Sequence, residues 1–346
     1  MATSSHTSRT TCACTSSART PASSAGWPLG AGAEAHLVHG LAPTARLLAR
    51  LRPDVVHVNR CTPWACAAGT AAALALPAAR VTTVDQLPLR TVALSVLLRT
   101  RELTRRVDAA VAVGEASARR IEDFYALGRG SVLSIPNYVP DPGPPSPAVS
   151  APTADPADGP LRLVAVGRLD AVKGHDVLLS ALDDVPGTTL TVLGEGALRP
   201  ELERLLVDLG LADRVRLPGW SEDVAAELSS YDALVLPSRS EGWPLIVVEA
   251  MLAGLPVVAT PVGSVPEAVR EDTGLLVPKD DIGALADALR RLRDDRDLAR
   301  RLGRRGREVA ATGMTADRMA QRWLDLWTQL LERSRAPRLR PAAVRP

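Results

Sequence analysis

Four charged side chains, Arg168, Lys173, Glu241 and Glu249, stand where apolar runs give way to polar loops. The first two follow the apolar run 161–166 in Gly167-Arg-Leu-Asp-Ala-Val-Lys-Gly174. Gly167 permits a tight turn out of a strand, which leaves both cations at the strand's carboxyl end. A guanidinium fork and an ammonium point charge together suit a diphosphate, although an ordinary charged surface loop has the same composition. Glu241 lies in a loop ahead of an expected helix and Glu249 lies one to two turns inside it. An anion held at that helix start would meet backbone N–H groups of the stretch Trp243, Pro244 and Leu245 and the positive end of the helix dipole. Glu241 beside an anion makes electrostatic sense if it serves a neutral hydroxylated group. Glu249 is placed to accept hydrogen bonds from vicinal hydroxyls, as carboxylates do with ribose. A phosphate flanked by two polyols describes a sugar nucleotide. The spacing alone fits equally a Glu241 that caps the helix and a Glu249 that is merely solvated.

The elements that must hold these groups follow from the pattern around them. Residues 232–237 read as a short buried strand closed by Pro237, and 255–260 as another. Between them Pro244 suits a first helical position, where its missing N–H costs nothing, and the helix runs to about Ala253. Gly254 then suits a left-handed cap. Strand, loop, helix and strand make one unit of a parallel sheet, whose loop opens at the carboxyl ends, where such sheets place ligands. The continuous apolar run 161–166 fits a strand covered on both faces.

The stretch Glu-Gly-Trp-Pro-Leu-Ile-Val-Val-Glu-Ala-Met-Leu-Ala-Gly-Leu-Pro-Val-Val-Ala-Thr, 241–260, resembles the E-x7-E signature of the retaining glycosyltransferases of family four. The resemblance extends over 51–331. It implies an α/β chain of GT-B fold, two Rossmann-like domains with parallel sheets facing a cleft, and transfer of a sugar from a nucleoside diphosphate sugar, UDP- or GDP-linked, to an acceptor hydroxyl. It implies that Gly167, Arg168 and Lys173 bind the donor's pyrophosphate and stabilise the leaving group, that Glu241 meets the transferred sugar, and that Glu249 meets the ribose. A front-face mechanism, with the leaving phosphate assisting deprotonation of the acceptor, is the family's more common proposal. No cofactor is implied, and no Asp-x-Asp or other metal constellation stands in a suitable place. Gly194-Glu-Gly196 resembles the family's "GDGP" turn, and Pro136-Asn137 its "PNG". Two departures are expected to matter. The first domain lacks its opening strands, with only Gly30-Ala-Gly-Ala-Glu34 similar to a glycine loop. The family's His-Asp pair near the sugar is replaced by Asp85-Gln86. A catalytically impaired nucleotide-sugar-binding remnant or partner protein is therefore the rival reading; a phosphorylase or epimerase on the same fold is a weaker third.

The remainder of the chain sets the domain map: a disordered 1–30, an acceptor-side domain 31–140, a proline-rich linker 141–160, a donor domain 161–312, a helix 313–333 that crosses back to the first domain, and a disordered tail 334–346. A net charge of +2 gives no argument for nucleic acid. The basic end of helix 91–106 reads as a solvated face in preference to a membrane-docking one. Cys12, Cys14, Cys61 and Cys66 form no convincing metal set, and a cytoplasmic protein is expected. His57 on an apolar strand reads as a satisfied core residue more readily than a catalytic one. Met319, Trp323, Leu324 and Trp327 read as core anchors at helical spacing. The acceptor, whether glycan, lipid or small molecule, is not legible.

Overall fold

The computed structural model describes residues 32–60, 65–77, 79–86, 92–140 and 159–333, with side chains of the first helix from residue 41. The expectations for 1–30, most of the linker and the tail from 334, together with Cys12, Cys14 and Cys61, lie outside the described residues. The first half runs α1 (Gly32–Leu51), β1 (Val55–Arg60), α2 (Ala67–Leu74), β2 (Arg80–Asp85), α3 (Leu94–Arg106), β3 (Ala109–Ala112), α4 (Glu115–Phe124) and β4 (Val132–Ser134). Its four strands are parallel and lie in chain order, β1-β2-β3-β4. Among the described residues no strand precedes α1, and Gly32 to Glu34 of the expected glycine loop sit in the first turn of that helix.

The second half runs β5 (Leu161–Val166), α5 (His175–Asp183), β6 (Thr188–Leu193), α6 (Arg199–Asp208), β7 (Val215–Gly219), α7 (Val224–Leu228), β8 (Ala233–Leu236), α8 (Leu245–Leu252), β9 (Val257–Ala259), α9 (Val265–Ala268), β10 (Gly274–Leu276), α10 (Ile282–Asp294) and α11 (Arg296–Gly313). Its six parallel strands are ordered β10-β9-β8-β5-β6-β7. The chain builds outward from β5 to β7, then returns to the other side of β5 with β8. The central strands β8 and β9 are apolar throughout because helices cover both faces, and every residue of the two is buried; polar residues enter toward the other edge, in β6 and β7. Aspartates set the helix starts: Asp223, Asp281 and Asp295 accept from the N–H groups of Ala226, Ala284 and Leu298 at 3.0, 2.9 and 2.7 Å.

A final helix, α12 (Ala316–Glu332), crosses back to the first half as expected. Thr315 pairs with Val139, and the Trp327 indole N–H donates to the Thr82 hydroxyl at 3.3 Å. Trp323 and Trp327 meet the His57 ring edge-on at centroid distances of 4.5 and 5.7 Å. Leu324 corrects the sequence reading: it is half-exposed, because the inward stripe is Met319, Trp323, Leu326 and Leu330, and Leu324 is one position off it. One apolar cluster joins the halves, with Val84, Val111, Val113 and Ile135 on one side and Trp243, Val247 and Met251 on the other.

Candidate functional site

The strand order creates a crevice between the carboxyl ends of β5 and β8, where the chain's direction of growth reverses. The β5 loop leaves through Gly167 and tightens into a 3-10 turn, Ala171–Lys173, whose start is held by Asp170 accepting from the Val172 and Lys173 N–H groups at 3.1 and 3.3 Å. Gly174 follows at φ 67°, and a Cβ there would stand 2.2 Å from the Pro237 carbonyl oxygen. Only glycine lets the β5 loop seat against the end of β8. Lys173 folds its stem over Gly167 and places Nζ 2.7 Å from Glu241 Oε1. The Ser238 hydroxyl donates to the same oxygen at 2.7 Å. Two motifs read separately in the sequence, 68 positions apart, thus converge on one ion pair whose side chains are 19% and 10% exposed.

The other expected residues fall around this pair. Arg168 turns outward to Asp170 at 2.9 Å and is 75% exposed, free to swing over a ligand. Pro244 stands as the residue before α8, not inside it, and it carries no N–H. Leu245 and Ile246 are the leading donors, ahead of the Val247 N–H that bonds to the Pro244 carbonyl. The Trp243 side chain is buried between the halves, edge-on to Tyr138 at 5.8 Å, so a direct ligand contact of that residue is limited to its backbone. Glu249 is half-buried, has no ion pair among the described residues, and burial pushes its carboxyl above the ordinary value.

Two features escaped sequence reasoning, and a third was read only in pieces. His175, at the start of α5, is 3% exposed with its ring beside the Gly167 and Arg168 backbone; burial first, and Lys173 second, lower its pKa to about 4. Arg239 bridges Asp176 and Asp280 at 2.7 and 2.6 Å and braces the outer wall of the loop. Finally, glycines stand side by side at the carboxyl ends of three adjacent strands. Gly167 N–H donates to Leu193 at 3.0 Å and Gly194 N–H to Gly219 at 2.8 Å. A Cβ on Gly194 would lie 2.0 Å from the Gly167 carbonyl oxygen. The row ends at Trp220, which is 79% exposed. The signal available in the sequence was a glycine closing each apolar strand, the third followed by an aromatic.

The first half brings Gln86 and Val113 beside Gly242, at 3.6 Å from where its Cβ would stand. Asp85, at the place of the family's histidine, does not face the crevice: it pairs with Arg60 at 2.5 Å with both side chains fully buried. His57 lies against α12, its Nδ1 3.0 Å from the Thr82 hydroxyl, and partial desolvation lowers its pKa. It is packed against α12 yet exposed on the edge strand β1, so the core reading is corrected: the ring is partnered without being buried.

Comparison with known proteins decides what these halves are. Residues 14–141 match the family model "Glycosyltransferase Family 4", and 160–295 match "Glycosyl transferases group 1". Each half thus matches a glycosyltransferase family model. The lipopolysaccharide core biosynthesis glycosyltransferase LpsD of Rhizobium meliloti is 36% identical over 185 residues, 53% of this chain and 54% of that protein. An exopolysaccharide phosphotransferase of Streptomyces coelicolor is 33% identical over 67% of this chain but only 24% of its own length. The match thus spans about half, or less, of these curated relatives. Among solved structures, sucrose-phosphate synthase of Thermosynechococcus elongatus superposes with TM-score 0.73 at 25% identity, over 86% of this chain and 79% of that one. HepE of Anabaena, solved in complex with UDP, gives TM-score 0.73 at 20% identity over 84% and 82%. The fold is GT-B. No helix among the described residues is long and apolar enough to cross a membrane.

Proposed function

We propose that the chain transfers a sugar from a nucleoside diphosphate sugar to an acceptor hydroxyl with retention of configuration. The observation that carries this reading is the Lys173–Glu241 pair at the β5–β8 crevice, beside the start of α8. A diphosphate entering there takes the Lys173 ammonium and the Leu245 and Ile246 N–H groups, and Arg168 closes over it from the exposed side. These fixed charges and dipoles stabilise the negative charge that grows on the leaving group, the kind of preorganised electrostatics that is usually the largest catalytic contribution. Glu241, held by Ser238, is left to accept from hydroxyls of the transferred sugar. Glu249 accepts from the ribose. The glycine row gives the nucleoside a ledge without side chains, and Trp220 offers the base an exposed aromatic face. HepE, of the same fold, has been solved with UDP and with UDP-glucose, which supports a uridine or related nucleotide donor here.

The rival, a chain that binds donor without transferring from it, has one specific observation in its favour: Asp85 is locked to Arg60 where the family resemblance places a histidine near the sugar. Thermal unfolding with UDP, GDP, ADP and TDP, for the wild type and Lys173→Ala, tests the donor site. A ligand at 100 times its dissociation constant stabilises the native state by about 2.7 kcal/mol. A midpoint shift with one nucleotide, lost in Lys173→Ala, is expected; no shift with any of the four sinks the donor reading. Slow hydrolysis of the matching nucleotide sugar then separates the enzyme from the silent binder.

A further inference from the structure

A carboxylate from the second half caps a helix of the first. Glu267, on α9, accepts from two successive backbone N–H groups at the start of α4: Glu115 at 2.9 Å and Ala116 at 3.0 Å, across 152 and 151 positions of sequence. The leading N–H groups of a helix have no partner within it, and its dipole favours an anion there. Among the described residues none of the first half supplies that cap: Gly114 stands at the N-cap position without a side chain, and the Glu115 carboxylate turns to Arg119 at 2.5 Å. The approach is close. A Cβ on Gly114 would lie 2.0 Å from Ser264 Oγ and 2.6 Å from its Cβ, so the Ser264 side chain seats against residue 114 only because that residue is glycine.

The segment carrying Glu267 is tied to the crevice. Gly263, at φ 57°, passes the Glu241 carbonyl so closely that a Cβ would stand 1.9 Å from its oxygen. The Ser264 N–H donates to the Gly242 carbonyl at 3.0 Å. Glu241 and Gly242, the residues that would meet the donor sugar, are therefore fastened through Gly263 and Ser264 to the short helix that bears the interdomain cap.

We propose that Glu267 is a positioning residue that latches the two halves in the closed arrangement by capping α4, and that the 241–242 loop couples this latch to donor binding. The coupling rests on the donor reading above; the latch does not. In the closed form Gln86 and Val113 are brought against Gly242, so the first half's contribution to the crevice depends on the latch holding. A helix cap lost across a hinge changes the closed-to-open ratio by about tenfold.

Small-angle X-ray scattering of the full chain, free and with saturating UDP, tests the proposal. Glu267→Ala is expected to enlarge the ligand-free radius of gyration. Gly114→Ala, whose new methyl collides with Ser264 from the other half, is expected to do the same with Glu267 intact. Glu267→Gln keeps the shape and one acceptor oxygen and is expected to fall between wild type and Glu267→Ala, a graded response that general destabilisation would not produce. UDP affinity is expected to fall in Glu267→Ala only as far as the closed fraction shrinks, by no more than about threefold, since the crevice residues themselves are untouched. Wild-type scattering in both Glu267→Ala and Gly114→Ala overturns the latch. Unchanged scattering with UDP binding lost would instead make Glu267 a support of the donor loop, and overturns the latch as well. If the wild type itself takes no UDP, the donor reading fails for that nucleotide while the ligand-free scattering still decides the latch.

Discussion

The two sheets place charged residues at the same point, the carboxyl ends of parallel strands, and use them in opposite ways. In the first sheet Arg60 and Asp85 close β1 and β2, neighbours in both chain and sheet, and they turn inward to form a pair with no exposed surface. In the second sheet Lys173 and Glu241 follow β5 and β8, neighbours in the sheet but far apart in the chain, and their pair stays partly open to solvent. The difference is topological. Sequential strands with right-handed crossovers carry their helices on one face and leave no gap between successive loops. A reversal of strand order sends two loops in opposite directions and opens a crevice at which a charge pair remains exchangeable. A buried pair specifies structure; a half-open one can hand its cation to a ligand.

The sharpest way to break this comparison is Asp85→Ala. It leaves Arg60 buried and unpaired and is expected to cost about 3–5 kcal/mol in urea unfolding, with nucleotide affinity of the second half little changed. Wild-type stability in that variant would put the inward pair on the same footing as the outward one. Next is His175, whose pKa of about 4 lies below the ordinary value of 6.5. Its neutral ring fits the fold and the charged ring does not, so the stability it contributes is complete above the unfolded value and is lost as pH falls from 6.5 through 4. The full loss is about 3 kcal/mol, read as the pH dependence of the urea midpoint that disappears in His175→Leu. Loosening of the cation loop over that range would show that the second sheet's exposed charges rest on a buried neutral support. Trp220→Ala carries the smallest expected effect. It removes a stacking surface worth about 1–3 kcal/mol for a base, so UDP binding weakens while binding of inorganic pyrophosphate does not. Equal loss for both ligands would move Trp220 from the base to the phosphates.

The local grammar of the second half was legible. Gly254 adopts φ 80° after α8 as a left-handed cap requires, and the runs at 161–166 and 232–237 are strands within a residue of their expected bounds, while 255–260 narrows to Val257–Ala259. These features depend on neighbours in sequence. What escaped depends on partners that sequence order hides. Nothing near Lys173 announces that Glu241 is its counter-ion, because the strand order β8-β5 is a tertiary choice. Glu267 reads as an ordinary acid in the first turn of a four-residue helix until α4 is brought against it. The stripe on α12 was misjudged at Leu324 because two tryptophans beside it make every apolar neighbour look like core, whereas the crossing direction selects only one face.

The crossing of α12 also orders events in time. The Trp327–Thr82 hydrogen bond joins positions 245 residues apart, and the His57 ring is flanked edge-on by Trp323 and Trp327. During synthesis the first sheet leaves the ribosome long before the helix that seals this face. At about 5–20 residues per second, that interval lasts on the order of ten seconds or more. Throughout it, the apolar surface around His57 must find a temporary cover or remain wet. The face of the first sheet that meets α12 is therefore completed only by the last described helix of the chain.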